Sequence, residues 1–354
     1  MTIQQIYPVK SSKDAARGSK SRSRLPSNSS IKTSSLMTIN GVYQLAIKMG
    51  LEADLRGKAI IEKIMARLKK KYQEMSREQK EEFDIERLAN PFSDTRILVE
   101  TKKPIKKILT GIDMDVGELL LADKLGDIDL VLAHHPSGIG LAGLDDVMHL
   151  QIDLLSSYGV PINIAESLVK IRIEEVSRKV APANHNEPVD AARLLKLGFM
   201  CVHTPADNLV ASFLDKLIKK EKPEYIEDLL KLLKSIPEYK QAMKLSAGPR
   251  LFSGRPENHC GKIALTEITG GTEGSPQIFE KLAQVGIGTV VAMHMSEEHR
   301  KEAEKAHLNV VVAGHMASDS LGMNLFLDEL AKKGIEIIPC SGLIRVERFK
   351  KVKK

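Results

Sequence analysis

Cysteine is scarce in this 354-residue chain. Cys201, Cys260 and Cys340 are far apart and never form a C-x-x-C pair. That excludes a disulfide scaffold and a thiolate-bound zinc site, and it predicts a reducing, cytoplasmic home. Tryptophan is absent and aromatic residues are 4% of the chain. These are too few for the stacking platforms that hold single-stranded nucleic acid. No apolar run approaches the roughly 18 residues of a membrane helix, and no apolar segment follows the start as it does in a secretory signal. What is present suits a cored globular protein of about two domains, with 42% hydrophobic and 28% charged residues.

The formal charge of +7 suggests a nucleic-acid binder until it is localised. Lys10, Lys13, Arg17, Lys20, Arg22, Arg24 and Lys32 against Asp14 give residues 1–34 a net +6, which leaves the rest of the chain nearly neutral. This tail holds nine serines and few apolar residues, so it is read as disordered. A transit peptide is the alternative reading, although no amphipathic period is visible. The run Arg348–Lys354 is a second basic patch, read as a frayed end.

Residues 35–56 read as helical. A longer helix follows, in which Ile60, Ile64, Leu68 and Tyr72 recur every four residues and make an apolar face. Asn90-Pro91 ends this region. Ile108–Asp113 and Ile128–Ala133 are short apolar runs flanking a helical Val116–Leu125, a strand–helix–strand unit with parallel pairing. Further expected strands are Pro161–Ala165, Phe199–His203, Lys262–Thr266, Thr289–Met293, Asn309–Ala313 and Glu336–Pro339. Gly248–Cys260, rich in Gly, Pro, Arg and Asn, is the expected internal boundary. The predicted organisation is a disordered basic tail (1–34), a helical lead-in (35–100), a first α/β half (101–250) and a second α/β half (251–354). The halves resemble each other. Each has a strand with threonine near its end (Thr110, Thr266), then a strand that delivers histidine (His134-His135, His294). The fold class is therefore α/β, with two related halves and mixed sheets. Open α/β sheets bind ligands at the carboxyl ends of their strands, where these histidines fall.

Three junctions carry the chemistry. His134-His135-Pro136 ends a strand, and the turn forced by Pro136 lets both imidazoles face one cleft. In His203-Thr204-Pro205-Ala206-Asp207 a helix begins, with Thr204 as N-cap and Pro205 at N1. Asp207 is then either a capping-box partner or a metal-bridging carboxylate. Gly314-His315-Met316-Ala317-Ser318-Asp319 places His315 and Asp319 on one helical face, unless Ser318 or Asp319 only caps the helix. Imidazole with carboxylate suits Zn, Fe, Mn, Co or Ni, and this many donors exceeds the needs of one tetrahedral zinc, so two ions fit. Gly270–Ser275 is either a phosphate cradle or a tight turn; it is neither G-x-G-x-x-G nor a P-loop. His294 and His299 flank Met295-Ser296-Glu297-Glu298 and read either as general acids or bases or as groups behind the ligands, or else as neighbours of a helix cap at Ser296.

The ordered blocks ILTGIDMDV, DLVLAHHP, VHTPAD, ITGGTEGS, AMHMSEEH and NVVVAGHMASD resemble the dinuclear-metal-centre family labelled GTP cyclohydrolase I type 2-like, over about residues 90–350. The resemblance implies two related α/β halves, a two-metal cleft between them and a toroidal homohexamer. It places metal ligands at His134, His135, Asp207, His315 and Asp319. H-T-P-A-D stands where the family has H-T-N-L-D, and Asp319 stands for a glutamate, which shortens the reach by one methylene. Three functions follow as alternatives. The first is a metal-dependent hydrolase acting on a phosphoester or nucleotide-like substrate, with His203 or His299 either supporting the ligands from behind or transferring a proton. The second is a metal-binding or metal-delivery protein without turnover. The third is an interaction scaffold whose tail recruits nucleic acid or another partner.

Overall fold

The computed structural model describes residues 36–349. The basic tail and residues 350–354 lie outside them.

The chain opens with α1 (Ile39–Ala53), α2 (Lys58–Glu74) and α3 (Arg77–Glu82) before β1 (Arg96–Val99) and β2 (Lys107–Gly111). α1 buries Ile39, Val42, Ala46 and Ile47 at helical spacing against the first sheet's core. α2 departs from the expected pattern. Ile61 alone is buried, whereas Ile60 and Ile64 are 42% and 39% exposed, so the four-residue repeat does not mark a core face.

α4 (Val116–Leu125) and β3 (Leu130–Ala133) complete the expected parallel unit. The limits of α4 are written in its ends: Asp115 and Glu118 form a capping box, and Gly126 closes the helix in the left-handed region at φ 79°. Five helices follow before β4 (Gly198–Cys201): α5 (Gly138–Ala142), α6 (Leu144–Val147), α7 (His149–Tyr158), α8 (Ile162–Val180) and α9 (Glu187–Leu195). The strand expected at Pro161–Ala165 is the first turn of α8. Pro161 precedes that helix, and Ala165, Val169 and Val176 extend the inward face at helical spacing.

Then come α10 (Thr204–Glu221), α11 (Ile226–Ser235), α12 (Pro237–Met243) and β5 (Arg250–Ser253). β5 lies inside the segment expected to be a boundary loop. The chain ends with β6 (Lys262–Glu267), α13 (Ile278–Gln284), β7 (Ile287–Ala292), α14 (Glu297–Lys305), β8 (Asn309–Val312), α15 (His315–Lys332) and β9 (Glu336–Pro339).

Two mixed sheets result. The first has the order β1-β4-β3-β2-β9 and the second the order β5-β8-β7-β6. Without β9 the two orders correspond strand for strand. Each sheet begins with an antiparallel edge pair that carries a register shift, β1 with β4 and β5 with β8; the other pairs are parallel. β9 pairs with β2, so the last strand completes the first sheet. The helices that follow the matched strands β4 and β8 are α10 and α15, and these pack on each other. Gly322 permits the close approach. A Cβ built there would lie 2.3 Å from the Ala206 carbonyl oxygen. Among the described residues no helix is long and apolar enough to cross a membrane.

Arg348, the first residue of the run expected to be a frayed end, is tied down, and residues 350–354 of that run lie outside the described residues. Both terminal guanidinium nitrogens of Arg348 donate to the fully buried Glu238 carboxylate, and the Arg348 backbone donates to Asp328.

Candidate metal centre

The carboxyl ends of β3, β4 and β8 meet above the α10–α15 crossing. His134 and His135 leave β3 with their amides still paired to Gly111 and Ile112. Both side chains nevertheless reach Asp319 on α15. His134 Nε2 is 3.6 Å from Oδ1 and His135 Nε2 is 3.5 Å from Oδ2. His315 Nε2, one turn before Asp319, is 3.3 Å from the same Oδ2. From α10, Asp207 Oδ1 lies 3.4 Å from His134 Nε2, and His203 Nε2 lies 3.8 Å from Asp207 Oδ2.

The capping readings of these segments do not hold. His203 is the N-cap of α10, and Thr204 directs its hydroxyl to Asp94 Oδ2 at 2.6 Å. Asp207 Oδ1 has no hydrogen-bond partner. At α15 the N-cap is Gly314, which has no side chain to offer, and Ser318 donates back to the Gly314 carbonyl. Neither oxygen of Asp319 has a hydrogen-bond partner.

Three imidazoles are fixed from behind. His134 Nδ1 donates to the Val202 carbonyl at 3.0 Å, His135 Nδ1 to Asp113 at 2.6 Å and His203 Nδ1 to Asp94 at 2.8 Å. A carbonyl or carboxylate only accepts, so the proton sits on Nδ1 and Nε2 presents its lone pair to the centre. This is the usual arrangement behind metal-bound histidine. Asp94 and Asp113 are the residues that sequence reasoning missed. Asp113 stands at a strand end inside the ILTGID block, where position alone marks it. Asp94 lies in a loop with no motif, and only the fold brings it to His203.

Elementary chemistry favours a cation here. Ligand atoms about 2.0–2.1 Å from one tetrahedral ion lie roughly 3.3–3.4 Å apart, close to the separations above. His134 Nε2, Asp207 Oδ1 and both Asp319 oxygens are buried without a hydrogen bond, a costly state that a cation would relieve. The donors form three groups, each with its atoms within 4.8 Å of one another: His134, His135, His203; His135, His315, Asp319; and His134, Asp207, Asp319. The ionisation pattern agrees. Burial lowers the His134 pKa and takes that of His315 down to about 4, against the opposing pull of Asp319 on both. For His135 burial pulls down, but Asp319 and Asp113 outweigh it and raise the pKa. Burial, with Asp319 and Asp94 nearby, raises Asp207 well above the carboxylate range. Burial opposes charge on Asp319 too, yet His134, His135 and His315 hold it well below that range. The two carboxylates are thus driven apart, and a bound cation would allow both to ionise.

A cavity beside the centre is walled by Glu267, Gly271, Thr272 and Glu273. The glycine-rich loop that supplies this wall is a turn. Gly270 and Gly271 have φ of 99° and 89°, and the Gly274 amide donates to Glu267. His294 Nδ1 donates to Glu273, and its ring lies 4.8 Å from that of His315. The Glu273 hydrogen bond raises the His294 pKa against its burial. His299 has both ring nitrogens engaged, with Ser296 and with the Gly274 carbonyl, and it anchors the loop.

The structure is similar to that of a NIF3 superfamily protein from Sphaerobacter thermophilus, with a TM-score of 0.68 and 23% identity, over 87% of this chain and 99% of that one. Weaker matches include reduced HcgD from Methanocaldococcus jannaschii (TM-score 0.45, 16% identity, 74% and 94% of the chains) and a Bacillus cereus protein related to NIF3 (TM-score 0.37, 12% identity, 73% and 92%). No protein-family model and no curated protein matches the sequence. The chain therefore has the NIF3 fold, which accords with the resemblance of its sequence blocks to the related GTP cyclohydrolase I type 2-like proteins.

Proposed function

We propose that this chain is a dinuclear metal-dependent hydrolase acting on a phosphoester or nucleotide-like substrate. One observation carries the reading: four buried donor atoms on His134, Asp207 and Asp319 converge without hydrogen-bond partners. His134, His135, Asp207, His315 and Asp319 would hold two divalent transition-metal ions, since Asp319 Oδ1 faces His134 and Oδ2 faces His135 and His315. Bound there, two ions supply Lewis acidity toward a phosphoryl or carbonyl oxygen and lower the pKa of water toward neutrality.

The chain's own residues supply orientation. Val202, Asp113 and Asp94 lock the imidazoles, and the α10–α15 crossing fixes the carboxylates. His294, whose Nδ1 is held by Glu273, is placed beside His315 to exchange a proton with the leaving group, a task for which His299 has no free nitrogen. The phosphoester assignment leans on the metal pair, because the glycine-rich loop is a turn. The half-exposed His135 and His315 also suit a metal-delivery protein, and turnover separates the two readings. Metal-loaded protein is expected to hydrolyse at least one member of a panel of aryl phosphomonoesters, phosphodiesters and nucleotides, with activity lost in His315→Ala. Fully loaded protein that turns over none of them would leave the delivery reading in place. The hexamer implied by the resemblance is testable by light scattering on the untagged chain.

A further inference from the structure

The duplication is incomplete at one place. β2 and β6 hold the same position in their sheets, yet β2 is flanked by β9, whereas β6 is the edge of its sheet among the described residues. β9 follows α15 after Lys333-Gly334-Ile335 and runs along β2. The chain that follows the matched α10 does not repeat this. Lys222 ends the helix in the left-handed region at φ 48°. The Glu224 carbonyl then accepts from the Cys260 amide, and Tyr225 pairs with His259, both ahead of β6. A cavity of about 280 Å³ remains between the last turn of α10 and β6.

Its lining has two characters. Ile218, Pro223, Ile263 and Leu265 make it apolar, and Lys219 and Lys222 bring positive charge. Lys219 is 2.8 Å from the Asp215 carboxylate, whereas Lys222 has no ion pair among the described residues. The free carbonyls at the end of α10 amount to about half a negative charge, less than Lys222 supplies. A further strand does not fit here. The Leu265 amide already donates to the Tyr158 hydroxyl at 2.9 Å, and the Lys262 ammonium donates to the Tyr158 carbonyl, so the end of α7 guards this edge. The volume suits a small molecule instead, with room for roughly nine water-sized groups at about 30 Å³ each.

We propose that this cavity binds a small amphipathic carboxylate. An aliphatic or aromatic body of about seven carbons packs on Ile218, Ile263 and Leu265, and the carboxylate pairs with Lys222. The site is separate from the metal centre. Asp207 stands in the first turn of α10 and Lys222 just past its last, roughly 22 Å away at about 1.5 Å per residue. The proposal holds whether or not the centre hydrolyses a substrate.

The test is saturation-transfer NMR of heptanoate and of benzoate with the untagged, full-length, zinc-loaded chain, and with heptylamine as the cationic control. Both carboxylates are expected to bind saturably, and heptylamine more weakly. Ile263→Trp fills the cavity and should abolish heptanoate binding, with circular dichroism confirming the fold. Lys222→Glu, at an exposed position, should weaken it by at least about 5-fold and keeps the test decisive if Ile263→Trp does not fold. Removal of zinc should leave the binding in place. No saturable binding up to about 10 mM would overturn the proposal. So would heptylamine binding as tightly as heptanoate, or heptanoate affinity unchanged in Lys222→Glu. Binding that disappears with zinc from a protein still folded would put the carboxylate on the metal and overturn it as well.

Discussion

Asp207 and Asp319 are both buried on adjacent helices, and their ionisation bears on the metal-free protein. The Asp207 pKa in the fold lies well above its ordinary 3.8. Above that pH the unfolded chain has released a proton that the folded chain still binds. The contribution of Asp207 to metal-free stability therefore falls as pH rises from near 3.8 through the raised value. A bound cation removes this penalty, and loss of histidine protons acts in the same direction. The rise in melting temperature on zinc saturation should accordingly be larger at about pH 8 than at about pH 5.5; an equal or smaller rise at the higher pH would contradict the electrostatic account. At this scale the sequence was legible wherever a candidate donor stood at a strand-to-helix junction, as His134, His135 and His315 do. It was silent on Asp94, because nothing local links a loop carboxylate to a histidine 109 positions away.

Elements succeed or fail as sequence readings according to their ends and their burial. α4 could be delimited because Asp115, Glu118 and Gly126 mark both termini. β1 and β5 went unread because each is a four-residue edge strand, and the alternation in β5 leaves its residues partly or fully exposed. α2 misleads in the opposite way, since its repeat faces solvent. Ile64→Lys should change stability by less than about 0.5 kcal/mol in urea unfolding, whereas a larger loss would mean that this face is covered. The α10–α15 crossing is where element packing sets the site. A methyl at Gly322 would meet the Ala206 carbonyl and push Asp319 away from Asp207. Gly322→Ala should cost about 1–3 kcal/mol, and the bound metal per chain should fall. Unchanged stability and metal content would show the contact to be slack.

Across the whole molecule, a duplicated four-stranded unit explains why α10 and α15 arrive at one place with matching residues. Strand order in the two sheets shows this, and the paired strand–helix–strand signatures already suggested it. The sequence did not reveal that β9 returns to the first sheet, because register between distant strands leaves no local mark. That return brings Arg345 and Arg348 against α12 and α15, where Arg348 pairs with the buried Glu238. Arg348→Ala should cost about 3 kcal/mol, the low end for a broken buried pair, because Arg348 keeps partial exposure. Chemical denaturation of the variant against the parent measures it. A cost within error of zero would mean that Glu238 finds another partner.

The central claim is that the convergent histidines and aspartates form a two-metal site, and metal stoichiometry tests it most directly. Elemental mass spectrometry on untagged protein, prepared without chelator and then loaded with Zn, Mn or Fe(II), should find about two ions per chain, with fewer in Asp207→Asn and in Asp319→Asn. A folded protein that retains no ion under any loading would contradict the account.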